Sequence, residues 1–382
     1  MRTMTGRAAD GERAGGGRAP RAGNEHEDGG APHPAAGPAG PRLPGPAAGP
    51  DVFTFGETMV ALRGSGPLKL GGTMQVSVAG AESNVAIGLA RLGHAVRWAG
   101  AVGDDEAGAL VLRTLRAEGV EVSGAVLDPG APTGLLLFEP RLPEVTRVHY
   151  YRAGSAGSRL TADAVEAAFS AAPPRVLHLT GITPALSATA RSAAARALRL
   201  ARRQGASVCL DVNFRARLWT AEEATAVLRE WVPFVDVLIA SDDEMPLCLP
   251  EGPAAPDGAP GPPATDPAAA LDSQAEALLD LGVGEVVVKL GAAGATVFSR
   301  ALRDGSLHRP ATPVRAVDAV GAGDAFVAGY LSALLDGEGP AGRLARAVTT
   351  GAFAVASHGD WEGAPTRAEL GMLGTPPGTV VR

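Results

Sequence analysis

The chain has 382 residues, 46% of them hydrophobic, and a formal net charge of −7. That length and apolar content suffice for a large core, and the negative balance excludes the basic footprint that nucleic-acid binding requires. No apolar run reaches the ~18 residues that span a membrane, and none near the start has the form of a secretion signal, so the expected compartment is the cytoplasm.

Residues 1–50 are rich in Gly, Pro, Ala and Arg and carry, alanines aside, only Met1, Met4 and Leu43 as apolar side chains. Too little apolar surface to bury predicts a disordered tail. Its arginines are interrupted by Glu12, Glu25, Glu27 and Asp28, so it reads as passive rather than as a nucleic-acid or targeting arm. From about Asp51, strand-like runs alternate with helical ones. VFTFGE, VRWAGAVG, RVLHLTG, SVCLDVN, VDVLIAS and EVVVKLG are the strands, and SNVAIGLARLG, AGALVLRTLRAEG, SATARSAAARALRLARRQG and EATAVLREWV are helices among them. This alternation predicts an α/β fold, a doubly wound and mostly parallel sheet with helices on both faces. Several strands end in polar or Gly residues, at Glu57, Gly181, Asp211, Ser241 and Gly291, as expected where ligands bind beyond the carboxyl ends of such a sheet.

Two sections break the alternation. Residues 133–140 and 146–154 read as an antiparallel pair. Residues 250–273 are so rich in proline that no regular element is expected there, only a solvent-exposed insertion. Cys209 in an apparent strand and Cys248 near a loop lack metal-type spacing and read as packing residues in a reducing compartment.

The most informative stretch is Asp318-Ala-Val-Gly-Ala-Gly-Asp324, which runs directly into the helical pattern of residues 324–335. Gly321 and Gly323 leave the first-turn N–H groups open to close approach by an anion, and a migrating phosphate fits there. Asp324 in the same turn has the chemistry of a base for an attacking hydroxyl. An ordinary helix cap explains the bare Gly-x-Gly-Asp equally well.

The surrounding residues separate the two. The heptapeptide resembles the D-x-x-G-A-G-D-x-F motif of the ribokinase-like (PfkB) carbohydrate kinases, and four further family landmarks follow the family order: Gly80-Ala-Glu-Ser-Asn84, Asp211-Val-Asn213-Phe-Arg215, Ser241-Asp-Asp-Glu244 and Lys289-Leu-Gly291-Ala-Ala-Gly294. The similarity runs from about Asp51 to about Leu370. It implies one kinase domain over 51–370, flanked by tails at 1–50 and 371–382, with a small β-sheet lid from about 60–78 and 130–155. It further implies ATP with Mg²⁺, the option of a monovalent cation, and a homo-oligomer without nucleic-acid or membrane partners.

Residue by residue, the resemblance implies Asp324 as base and the Gly321, Ala322 and Gly323 amides as anion hole. Gly80, Ala81 and Asn84 would bind sugar. Asn213, Arg215, Ser241, Lys289, Gly291, Gly294, Gly321 and Gly323 would bind the nucleotide. Glu244 would reach the metal through water, and Asp318 either joins that shell or caps its loop. Within the family, VAGAESNVA, HYYRAGSAGSRL, LDVNFRARLW and SHGDWEGAP are similar to the kinases of 2-keto-3-deoxygluconate, a sugar acid. That similarity adds Tyr150, Arg152, Arg215 and Asp360 to the substrate contacts, with Arg152 gripping the carboxylate; a solvated hairpin would also carry Tyr150 and Arg152. Leu136 and Val348 stand where relatives place a substrate-facing tyrosine and an adenine-side asparagine. The runner-up readings are a kinase for fructose, ribose or a keto-deoxy sugar, and a sugar sensor without catalysis.

Overall fold

The computed structural model describes residues 40, 41, 43–45, 49–142, 145–250, 266–375 and 379. Its strands are β1 (Val52–Phe55), β2 (Met59–Gly64), β3 (Met74–Ala79), β4 (Val96–Gly103), β5 (Glu121–Asp128), β6 (Leu135–Leu142), β7 (Val145–Tyr151), β8 (Val176–Thr180), β9 (Ser207–Asp211), β10 (Val237–Ser241), β11 (Glu285–Lys289), β12 (Ala295–Phe298) and β13 (Ser306–Arg309). Its α-helices are α1 (Ala81–Arg91), α2 (Glu106–Ala117), α3 (Ala162–Ser170), α4 (Thr183–Leu186), α5 (Ala188–Gln204), α6 (Ala221–Trp231), α7 (Pro267–Asp280), α8 (Ala322–Leu335) and α9 (Pro340–Val355).

Nine strands form one sheet in the order β13-β12-β11-β10-β9-β8-β1-β4-β5. Every pairing is parallel except those of β12 with its two neighbours. The central strands are buried along their whole length because both faces are covered, which is why they read as mostly apolar runs without alternation. Alternation still sorts their side chains. Phe53, Phe55, Leu177, Leu179 and Leu210 point into a core shared with α3, α5 and α6, whereas Val52, Val176, Cys209, Val237 and Ile239 point to the core under α1, α2, α8 and α9. Helix α8 is apolar all round, and residues 325–335 are all buried, because it lies between the sheet, α1 and α9.

A second sheet, in the order β3-β2-β6-β7, comes from the sections predicted as lid. Met59, Ala61, Ala79, Leu136 and Phe138 form its buried face, and Leu136 lies opposite Tyr150 in register. Val348 is buried in the core beside Leu344 and Ala347, so it packs the interior. Cys209 and Cys248 are both buried, and burial pushes the Cys248 thiol up to about 12 and that of Cys209 well above its usual range, so they act as packing residues.

Two expectations change. The insertion is not irregular throughout: α7 begins at Pro267, inside the section read as free of regular structure. Asp266 caps the helix by accepting from the Ala268 N–H at 3.0 Å, and proline in the first turn costs no hydrogen bond because that N–H has no helical partner. The rest of the insertion, 251–265, lies outside the described residues, as do 1–39 and most of 376–382. The end of the N-terminal segment is engaged with the domain: Leu43 packs on the core and the Pro44 carbonyl accepts from Arg175 Nε at 3.2 Å.

Candidate active site

The carboxyl ends of β9, β10 and β11 and the start of α8 meet in one place. Gly321 caps α8 with φ +73°, and a Cβ built on it would lie 1.8 Å from the Asp360 carbonyl oxygen, so only glycine fits on both counts. The turn thereby aims the first-turn amides outward. Among the described residues the Gly321, Gly323 and Asp324 N–H groups have no acceptor, and the Ala322 N–H reaches Ala319 only at 3.4 Å. At Gly323 the space where a Cβ would sit is open, with Lys289 Nζ nearest at 3.8 Å. Unpaired amides facing an ammonium make a cradle for an oxyanion.

Asp324 sits in that cradle. Its Oδ2 accepts from Asn84 Nδ2 at 2.7 Å, which joins the start of α8 to α1. Burial pushes its carboxyl up to about 7, with Asp211 adding repulsion, while Asn84, Arg215 and Lys289 pull the other way. The oxygen of the same Asn84 amide, Oδ1, is buried without a partner. An orphaned acceptor beside a carboxyl pushed up to about 7 suits a ligand hydroxyl. Gly80 and Ala81 lie at the start of the helix that carries Asn84, and a Cβ built on Gly80 would lie 2.4 Å from the Glu57 carbonyl oxygen.

On the sheet side, Lys289 Nζ donates to Asp211 Oδ1 at 2.7 Å. Burial would lower the ammonium's pKa, but Asp211, Glu244 and Asp324 raise it further, so Lys289 stays charged. Asn213 takes a φ of +40°, unusual for a residue other than glycine, and its side chain reaches Asp211 at 3.4 Å. Arg215 is exposed on the rim. Gly291 and Gly294 close the short turn after β11, where the Leu290 N–H bonds the Gly294 carbonyl at 2.8 Å. The Glu244 carboxylate is engaged at both oxygens by main-chain donors, Phe214 N–H at 2.7 Å and Ser241 N–H at 2.8 Å, and the Ser241 hydroxyl turns to Asp243. Glu244 therefore clamps the loops after β9 and β10 together.

The lid contributes charge. Arg152 donates Nε to Glu57 Oε2 at 2.7 Å and its Nη2 pairs with the same oxygen, while Ser155 donates to the other oxygen of this buried carboxylate. Tyr150 is 43% exposed, with its ring 5.9 Å from the Arg152 guanidinium. Arg63 on β2 donates Nη1 to Asp318 Oδ2 at 3.1 Å and Nη2 to Asp360 Oδ2 at 2.6 Å. Asp318 and Asp360 thus share a cation from the lid. Burial pushes the Asp360 carboxyl up to about 6 against the pull of Arg63, with Glu362 and Asp318 adding repulsion.

Sequence reasoning gave no role to Arg63 or Glu82, and marked Glu57 only as a polar strand end. The buried Glu82 accepts from Thr180 and Thr183 hydroxyls at 2.6 and 2.7 Å, inside the very motif that carries Asn84. One signal was available for Arg63, a lone cation at the end of the apolar run Met-Val-Ala-Leu. Among the described residues no group of three or more His, Cys, Asp or Glu is placed to hold a metal ion, and no helix is long and apolar enough to cross a membrane.

The arrangement agrees with what the chain resembles. The model for pfkB family carbohydrate kinases matches residues 50–367. A 2-dehydro-3-deoxygluconokinase of Thermoproteus tenax is 37% identical over 329 residues, 84% of this chain and 93% of that protein. The protein of the same name from Bacillus subtilis is 36% identical over 326 residues, 84% of this chain and 94% of its own length. Among solved structures, a PfkB protein from Polaromonas sp. JS666 superposes with a TM-score of 0.70 at 36% identity, covering 84% of this chain and 99% of that one. Similarity along nearly the whole folded region, with the glycine turn and its aspartate where that family's motif requires them, places this chain in the pfkB family of carbohydrate kinases.

Proposed function

We propose that the protein phosphorylates 2-keto-3-deoxygluconate on its primary hydroxyl at the expense of ATP, giving 2-keto-3-deoxy-6-phosphogluconate and ADP. The observation that carries this reading is the pair at the cradle: Asp324, with a carboxyl pKa of about 7, held by Asn84, whose own Oδ1 is left without a partner. Asn84 Oδ1 accepts from a sugar hydroxyl and Asp324 takes the proton of the attacking one. As that oxygen bonds to the γ-phosphorus and the bond to the β-phosphate oxygen breaks, charge builds on the phosphoryl oxygens, where the Gly321–Gly323 turn offers its amides. Lys289 and Arg215 supply positive charge on the nucleotide side.

Mg²⁺ accompanying ATP neutralises phosphate charge. Glu244 and Asp318 stand as water-mediated contacts for it, since each carboxylate already holds protein donors.

The sugar acid is favoured by Arg152. Its Nε and Nη2 are taken by Glu57, which fixes the guanidinium plane and leaves Nη1 for a substrate carboxylate. The names of the two relatives at 36% and 37% identity support the same substrate. The outer face of the lid exposes Leu70, Met74, Val76 and Tyr151, and we assign it to self-association. The experiment is an ADP-release screen over sugar acids and neutral sugars with the wild-type enzyme. Higher kcat/KM on fructose or ribose than on the keto acid would overturn the substrate and leave the kinase standing.

A further inference from the structure

We infer that Arg63 is a positioning residue for phosphoryl transfer: it fastens the glycine turn to the lid by bridging Asp318 and Asp360 with one guanidinium. This rests on reading the Gly321–Asp324 turn as the transfer site.

The turn is held from two sides, and both supports end at Arg63. On one side, Asp318 Oδ1 accepts from the Val320 N–H at 3.1 Å, which shapes the approach to Gly321, while Oδ2 takes Arg63 Nη1 at 3.1 Å. On the other, the Asp360 carbonyl oxygen is the atom that a Cβ at Gly321 would strike at 1.8 Å, and the Asp360 side chain takes Arg63 Nη2 at 2.6 Å. A shift of either aspartate therefore moves the backbone that carries the amides. Arg63 itself is fixed from below. Its guanidinium stacks on Phe138, 3.9 Å from the ring centroid, and Phe138 is 3% exposed and pairs with Arg63 in register between β2 and β6.

Charge gives a second role. Asp318 and Asp360 without Arg63 would place two uncompensated carboxylates behind a cradle meant for a phosphate, where the low dielectric magnifies repulsion. With Arg63 the group carries one negative charge less and both carboxylates face the lid. Only a planar fork answers two carboxylates at once; a lysine supplies the charge from a single point. Because Arg63 belongs to the lid, the cradle is complete only when that sheet is in place, which couples water exclusion to the geometry of transfer.

The test compares Arg63→Lys and Arg63→Ala with the wild type in steady-state assays with ATP and 2-keto-3-deoxygluconate. Misplacing a cradle by about 1 Å costs on the order of a hundredfold. For Arg63→Ala we expect kcat to fall roughly ten- to hundredfold with KM for the sugar changed less than about threefold, and Arg63→Lys to recover only part of the loss. Millimolar guanidinium chloride, far below denaturing concentration, should restore kcat of Arg63→Ala, whereas sodium chloride at equal ionic strength should not. Wild-type kcat in Arg63→Lys, or a loss in Arg63→Ala that appears only in the sugar KM and resists guanidinium, would overturn the assignment. If Arg63→Ala fails to fold, Arg63→Lys and its kcat decide alone. Failure of the underlying reading would show separately, as a wild-type enzyme without sugar kinase activity or an Asp324→Asn variant that keeps it.

Discussion

The sheet side and the lid side of the site are held by different means. Behind the cradle, positions are fixed by main-chain groups at short range: Glu244 clamps two amides, and Gly321 is backed by a carbonyl. Across the cleft, the lid is tied down by charged side chains, Arg63 to Asp318 and Asp360, and Arg152 to Glu57. Main-chain anchoring makes a rigid rear wall, whereas ion pairs from the lid to the loops beside it can be exchanged for a substrate's own charges. The comparison says where to look for catalytic loss and where for loss of binding.

The strongest test of the rear wall is Asp324→Asn, expected to lower kcat by about 10²–10⁴ with the sugar KM nearly unchanged, as for removal of a general base. Near-normal turnover would remove Asp324 from that role. On the lid side, Arg152→Leu should raise KM for the keto acid roughly ten- to a hundredfold, from the loss of a charge-assisted bond of about 1.5–3 kcal/mol. Weak activity on neutral sugars should change far less. The substitution also strands the buried Glu57 carboxylate, so Tm should fall; adding Glu57→Gln should restore Tm without restoring KM.

A pH profile sharpens the same contrast. Because Asp324 must be ionised to accept a proton and its carboxyl is pushed up to about 7, kcat/KM should rise about tenfold per pH unit below 7 and level off above it. In Asp324→Asn that limb should vanish. The sign for stability is opposite. A carboxyl raised in the folded state favours folding fully when protonated, below the unfolded-state pKa of about 4, and that contribution is lost as pH rises through about 7. Asp324→Asn should therefore raise Tm at pH 8 more than at pH 4, measured by calorimetry. The smallest effect concerns the N-terminal segment. Deleting 1–39 should leave Tm and kcat/KM unchanged, whereas deletion through 50 removes Leu43 and the Arg175–Pro44 bond and should cost roughly 1–2 °C. Equal Tm for both truncations would show that this contact contributes nothing.

Much of this was legible in the chain. The central strands announced themselves as mostly apolar runs because both faces of the sheet are covered, and the lid hairpin at 133–154 because it interrupts the alternation. β12 and β13, the antiparallel pair at one edge of the sheet, were not among the strands read. The start of α7 was obscured because proline reads as a breaker until its place at a capped first turn is known.

The sequence by itself determined the glycine turn, the aspartate within it and the strand ends around it, since backbone freedom at Gly321 and the carboxyl chemistry of Asp324 are local properties. Only the tertiary structure decided which charges neutralise which. Arg63 meets partners 255 and 297 positions away and Asn84 meets Asp324 across 240, and no local pattern encodes such distances. A carboxylate in sequence is a charge whose partner is unspecified. Its pKa, and whether it faces a ligand or a neighbouring arginine, follow from burial and approach, which exist only once the lid lies against the sheet.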